Sequence, residues 1–209
     1  MARPDRQYGG RTAEARRAER RERFLAAALD QFGSRPGYRA ASVAGLCEAA
    51  GLSTRQFYEE FRNLEDVLAR LHLRVNDLAE QAVLNALPAV AGLPFEQRIA
   101  AVLRAYVTAA TEDPRRLRIA FVEIVGVSEA LETQRLDRRA RWVALLTAEA
   151  DAAAERGEAA TRDYRIAATA FIGAVNGLLH DWTAGRVTAT LDEVVAELTA
   201  LLRGASRPG

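Results

Sequence analysis

Past the first dozen residues, apolar positions recur at helical spacing, and no stretch alternates as a half-buried strand would. The charged run Glu14 to Arg23 leads into Leu25, Ala28, Leu29 and Phe32, one face of a first helix. Val43, Leu46, Cys47 and Ala50 follow at i, i+3, i+4 and i+7, with Ser42 ahead as N-cap and Gly51 behind as a left-handed stop. Ser53 and Gln56 form a capping box that opens another short helix, whose buried side is Phe57 and Phe61. Asn63 then caps a long helix bearing Leu64, Val67, Leu68, Leu71, Val75 and Leu78, which should run to about Ala86 and stop at Pro88.

The second half repeats the signal. Pro94 precedes a face of Ile99, Val102, Leu103 and Tyr106. Asp113-Pro114 opens a helix with Leu117, Phe121 and Ile124, ending near Gly126. Ser128 caps a longer one with Leu136, Trp142, Val143 and Leu146, which ends by Gly157. Another is expected over roughly 161–183, and the last begins at the capping box Thr190-x-x-Glu193, with Leu191, Val194, Val195, Leu198 and Leu202 along one side. The pattern predicts an all-α chain of about nine helices without internal repeats.

The two short helices around Gly51 carry the functional signal. Their outward side presents Thr54, Arg55, Gln56 and Tyr58 in the first turns of the second helix. Helix, tight glycine turn and helix with hydrogen-bonding side chains at the second N-terminus is the geometry of a DNA recognition unit. An ordinary αα-hairpin shares it, so the pattern alone leaves both readings open.

Charge shifts the balance toward nucleic acid. The net charge of +1 combines a first segment, residues 1–62, at +4 with a remainder at −3. A basic N-terminal module on a mildly acidic body suits a DNA-binding end and a part that stays off DNA. Every basic residue is Arg, none Lys. No apolar run is long enough to span a membrane, no secretory signal opens the chain, and the single Cys47 excludes an intramolecular disulfide, so the expected location is cytoplasmic. Cys47 reads as a small core hydrophobe. His72 and His180 lie far apart without a metal-binding partner at i+4 and read as capped or solvated; no phosphate loop follows a strand. Nothing calls for a cofactor or an enzymatic role.

The segment 23–68 resembles the N-terminal domain of the TetR family of bacterial transcriptional regulators. The matching residues are Ala27, Ala28 and Phe32, Gly37 before the N-capping hydroxyl, Ala50-Gly51-Leu52-Ser53, and Phe57-Tyr58 followed by Phe61. The resemblance implies a basic arm over 1–20, a helix-turn-helix domain over 21–68, and a ligand-binding and dimerisation domain over 69–209. It implies a homodimeric, ligand-responsive repressor of a palindromic operator in double-stranded DNA. The alternative is a ligand- or partner-binding protein of the same fold with weak or lost DNA binding. Arg55 and Gln56 are then the base readers, since Arg suits guanine and Gln suits adenine. Ser42, Thr54, Tyr58, Arg39 and Arg62 would hold phosphates or flank the groove. The arm arginines Arg3, Arg6 and Arg11 suit a minor groove.

Two positions depart from the family. A frequent His is Glu60 here, and a frequent Lys or Arg is Leu64; both changes remove a phosphate donor. In the second half, Tyr106, Phe121, Trp142, Phe171 and Asn176 are the candidates to enclose a small-molecule inducer. The small residues Ala170, Gly173 and Gly177, with the final helix, imply a four-helix dimer interface.

Overall fold

The computed structural model describes residues 12–206, and among these there are nine α-helices and no strand. Helices α1 (Ala13–Gly33), α2 (Val43–Ala50) and α3 (Thr54–Glu60) form a small bundle closed by the first half of α4 (Leu64–Val90). Then come α5 (Phe95–Thr111), α6 (Pro114–Arg118), a π-helical turn over Ile119–Glu123, α7 (Glu129–Glu155), α8 (Arg165–Thr183) and α9 (Leu191–Ser206).

Capping chemistry sets most helix starts. The side chains of Ser42, Asn63 and Ser128 accept from the backbone N–H of Gly45, Asp66 and Leu131. Both capping boxes are formed, Ser53 with Gln56 and Thr190 with Glu193. Gly51 takes φ 60°, which a side chain would resist.

There are two cores. The first gathers Phe24, Phe32, Leu46, Phe57, Phe61 and Leu68, with Phe24 edge-on to both Phe57 and Phe61. The second joins α5, α8 and α9 through Leu103, Val107, Phe171, Leu179, Val194 and Leu198. Between them lies the α6 region: Leu117 belongs to the second core, whereas Ile119 and Ile124 at the two ends of the π turn belong to the first. The fold is therefore two domains sharing one connecting element.

Several details differ from the pattern-based reading. Helix α4 continues through Pro88 to Val90, because a proline in a last turn removes one hydrogen bond and need not end the helix. Helix α1 begins at Ala13, so the last third of the expected arm is helical. Helix α8 begins only at Arg165: the buried Tyr164 donates its hydroxyl to the carbonyl of Ala160 and holds the preceding residues in a turn. His72 is neither solvated nor a cap but only 2% exposed, where burial and then the charges of Arg138 and Arg135 lower its pKa to about 4.

Candidate nucleic-acid interface and ligand cavity

Helix α1 holds the helix-turn-helix by polar ties. Arg23 donates to the carbonyls of Ala50 and Gly51 at 2.6 and 3.0 Å, covering the open C-terminus of α2. Gln31 donates to Gly45 O at 2.9 Å. At the end of α3, the side chain of Glu60 is fully buried among Arg17 at 3.3 Å and Arg20 and Arg21, both at 2.8 Å. Glu60 therefore does not turn toward a DNA backbone; it is an internal counter-ion. The sequence signal was present: Arg17, Arg20 and Arg21 share one face of α1.

The remaining polar surface is open. Thr54, Arg55 and Tyr58 are exposed on α3, Ser42 at the head of α2, and Arg39 and Arg62 at the flanks. Arg55 is 90% exposed and rests in an i, i+4 pair with Glu59 at 3.2 Å, a contact weak enough to exchange for a base. Ser42 Oγ accepts from Gly45 N–H, leaving its own proton to donate. Gln56 is half-buried, and its amide oxygen accepts from Ser53 N–H at 2.9 Å. A bidentate adenine contact needs that oxygen, so Gln56 is restricted to offering its NH2 while the capping box stays closed. Leu64 packs on the first core. Arg3, Arg6 and Arg11 lie outside the described residues.

In the second domain, an apolar cavity of about 270 Å³ lies among α4, α5, α7, α8 and α9. Tyr106, Trp142, Phe171 and Asn176 all line it. Phe121 does not. It lines an adjoining polar chamber of about 290 Å³, together with His72, Arg135, Arg138, Arg139 and His180. Tyr106, Trp142, Ile172 and Asn176 border both spaces, and the Tyr106 and Trp142 rings meet edge-on at 5.1 Å between centroids. Burial pushes the Tyr106 hydroxyl up to about 12, so it stays protonated. Among the described residues no cluster of side chains suits a metal ion, and no helix is long and apolar enough to cross a membrane.

The π turn connects this chamber to the DNA-binding domain. The His180 ring faces the Phe121 carbonyl at 3.2 Å from Nδ1. Two residues on, the Glu123 carboxylate pairs with Arg118 and accepts from Tyr38 N–H at 2.9 Å. Gly37, at φ 94°, lets the carboxylate approach: a Cβ there would stand 2.6 Å from its oxygen. Gly33 does the same for α6, since an added Cβ would meet Arg115 Cβ at 2.5 Å. Sequence reasoning took Gly37 only as part of a motif and missed Glu123 altogether.

On the outer face of α8, Ile166 is 84% exposed, with Ala170 and Gly177 exposed beside it and Gly173 half-exposed. Leu201 on α9 is also exposed.

Residues 24–71 match the family model described as bacterial regulatory proteins, tetR family, and residues 92–205 match the tetracyclin repressor-like C-terminal domain. No curated protein matches the chain. Among solved structures, the fatty acid degradation regulator FadR from Bacillus halodurans is 19% identical, with a TM-score of 0.76 over 88% of this chain and 95% of its own. FadR from Bacillus subtilis, in complex with stearoyl-CoA, is 17% identical with a TM-score of 0.73, covering 87% and 96%. A tetR-family regulatory protein from Rhodococcus RHA1 is 20% identical, with a TM-score of 0.68 over 91% and 98%.

Proposed function

The chain belongs to the TetR family of bacterial regulatory proteins, and from that premise we propose that it is a ligand-responsive repressor that binds a palindromic operator as a homodimer. The observation that carries the reading is the exposed polar surface of α3 standing on a body whose π turn touches both a ligand-sized cavity and Tyr38. A ligand that favours one arrangement of the π turn would alter the spacing of the two recognition helices and so the affinity for DNA.

Dimerisation is part of the proposal. One seven-residue helix reads few bases, and a two-fold pair doubles the contact. The small-residue face of α8 with α9 is the surface suited to it. The FadR complex with stearoyl-CoA supports a cavity of this fold serving long apolar ligands. The competing reading, a protein that no longer binds DNA, drew on Glu60 and Leu64. The ion cluster around Glu60 removes half of that argument.

Selection of bound duplexes from a random pool tests the reading. An inverted repeat with half-sites about one helical turn apart, or a multiple of it, is the expected result. Recovery of no shared sequence would overturn it.

A further inference from the structure

The polar chamber contains a cation without a counter-ion, and this gives the ligand a charge. Arg135 is held by Glu132 at 2.5 Å, Arg138 by Asp77 and Glu80, and Asp181 is balanced by Arg186 at 2.7 Å. His72 is neutral near pH 7. His180 lends its Nδ1 to Phe121 O. Arg139 has no carboxylate partner among the described residues. One Nη reaches Thr169 O at a long 3.4 Å, and its Nε is buried with no acceptor at all. Such a donor carries a desolvation cost that an incoming anion would relieve.

The other end of the apolar cavity is closed to an anion. Arg98 is the cation there, but it is bound at 2.5 Å by Glu158 and approached at 3.7 Å by Glu149. A ligand with one charged end therefore has one orientation: tail toward Phe95 and Leu202, head past Asn176 toward Arg139.

We propose that the two adjoining cavities form one site for an amphipathic monoanion, a medium- or long-chain carboxylate, with Arg139 as its anchor. The guanidinium supplies paired N–H donors matched to a carboxylate, and Asn176 in the shared wall can add a further one. The inference rests on the ligand-responsive reading above and specifies its ligand class.

The test uses the full chain, titrated with decanoate, 1-decanol and decanoyl-coenzyme A and followed by tryptophan emission, since Trp142 stands in the shared wall. Decanoate should bind about ten-fold or more tightly than decanol, the effect of a hydrogen-bonded charge. Arg139→Gln should erase that preference, and Arg139→Lys should keep part of it. Equal affinity for acid and alcohol, binding of the coenzyme A ester alone, a preference that survives Arg139→Gln, or no binding at all would each overturn the proposal. Duplex selection without ligand is independent of all these outcomes, so a failure of the ligand class is distinguishable from a failure of the DNA-binding reading.

Discussion

The carboxylate of Glu123 accepts a hydrogen bond from the backbone N–H of Tyr38, 85 residues earlier in the chain, at 2.9 Å. It ties the segment leading into the helix-turn-helix to the π turn beside the polar chamber. Replacing it with Ala would leave the Tyr38 N–H and the mostly buried Arg118 without their acceptor. Glu123→Ala should cost about 2–3 kcal/mol of stability. Operator affinity should become insensitive to ligand while ligand binding persists. Chemical denaturation together with DNA binding measured with and without ligand checks both halves; a variant whose operator affinity still responds normally would remove Glu123 from the route.

Arg55 should be a base reader. Its side chain is exposed, held only by Glu59, and stands in the first turn of α3. Arg55→Ala should cost about 1–3 kcal/mol per half-site and relax preference at one base position. Arg39→Ala and Arg62→Ala should instead weaken operator and scrambled duplex alike, and make the dependence on salt shallower. Equal losses on both duplexes for Arg55→Ala would make it a phosphate contact.

The outer face of α8 should pair two copies. At Gly177 an added Cβ meets nothing within 4 Å in the protomer. Gly177→Leu should therefore leave each protomer folded, with an unchanged helical signal, and still convert a dimer to a monomer in sedimentation. A wild-type chain that sediments as a monomer at micromolar concentration would defeat the proposal.

His72 should make the protein acid-sensitive. Its folded pKa lies near 4, below the usual 6.5, so between those values the unfolded chain binds a proton that the folded chain refuses. Stability contributed by neutral His72 is full above about pH 6.5 and falls as pH drops toward 4, by about 2 kcal/mol between pH 7 and pH 5. Comparing urea midpoints of wild type and His72→Gln at both pH values isolates this part. Parallel losses in the two proteins would assign the acid sensitivity to other groups.

The helices and their starts were legible because caps and apolar periods are local chemistry. Ser42, Ser53, Asn63, Ser128 and Thr190 each begin a helix where their spacing placed it. The cavity was legible in part: four of the five large or polar residues chosen from separate helices do meet around it, because bulky residues near a gap are the ones that shape it. Phe121 went to the neighbouring chamber because the π turn rotates its position relative to a continuous α-helix, which periodicity alone does not reveal. Glu60 was misjudged because its partners lie some 40 residues away on α1. A charge seen one residue at a time looks like surface until the helix packed against it is known.

The π turn sets the two domains in register by chain length. Arg118 and Glu123 are five residues apart, a separation that brings two side chains onto one face only where the backbone is wound wider than an α-helix. Removing a single residue between them would restore ordinary winding and turn everything that follows by about 100°. Glu123 would then point away from Tyr38, and Ile124 would leave the first core. Homologous sequences in this segment should therefore tolerate exchange of side chains far better than a change in their number.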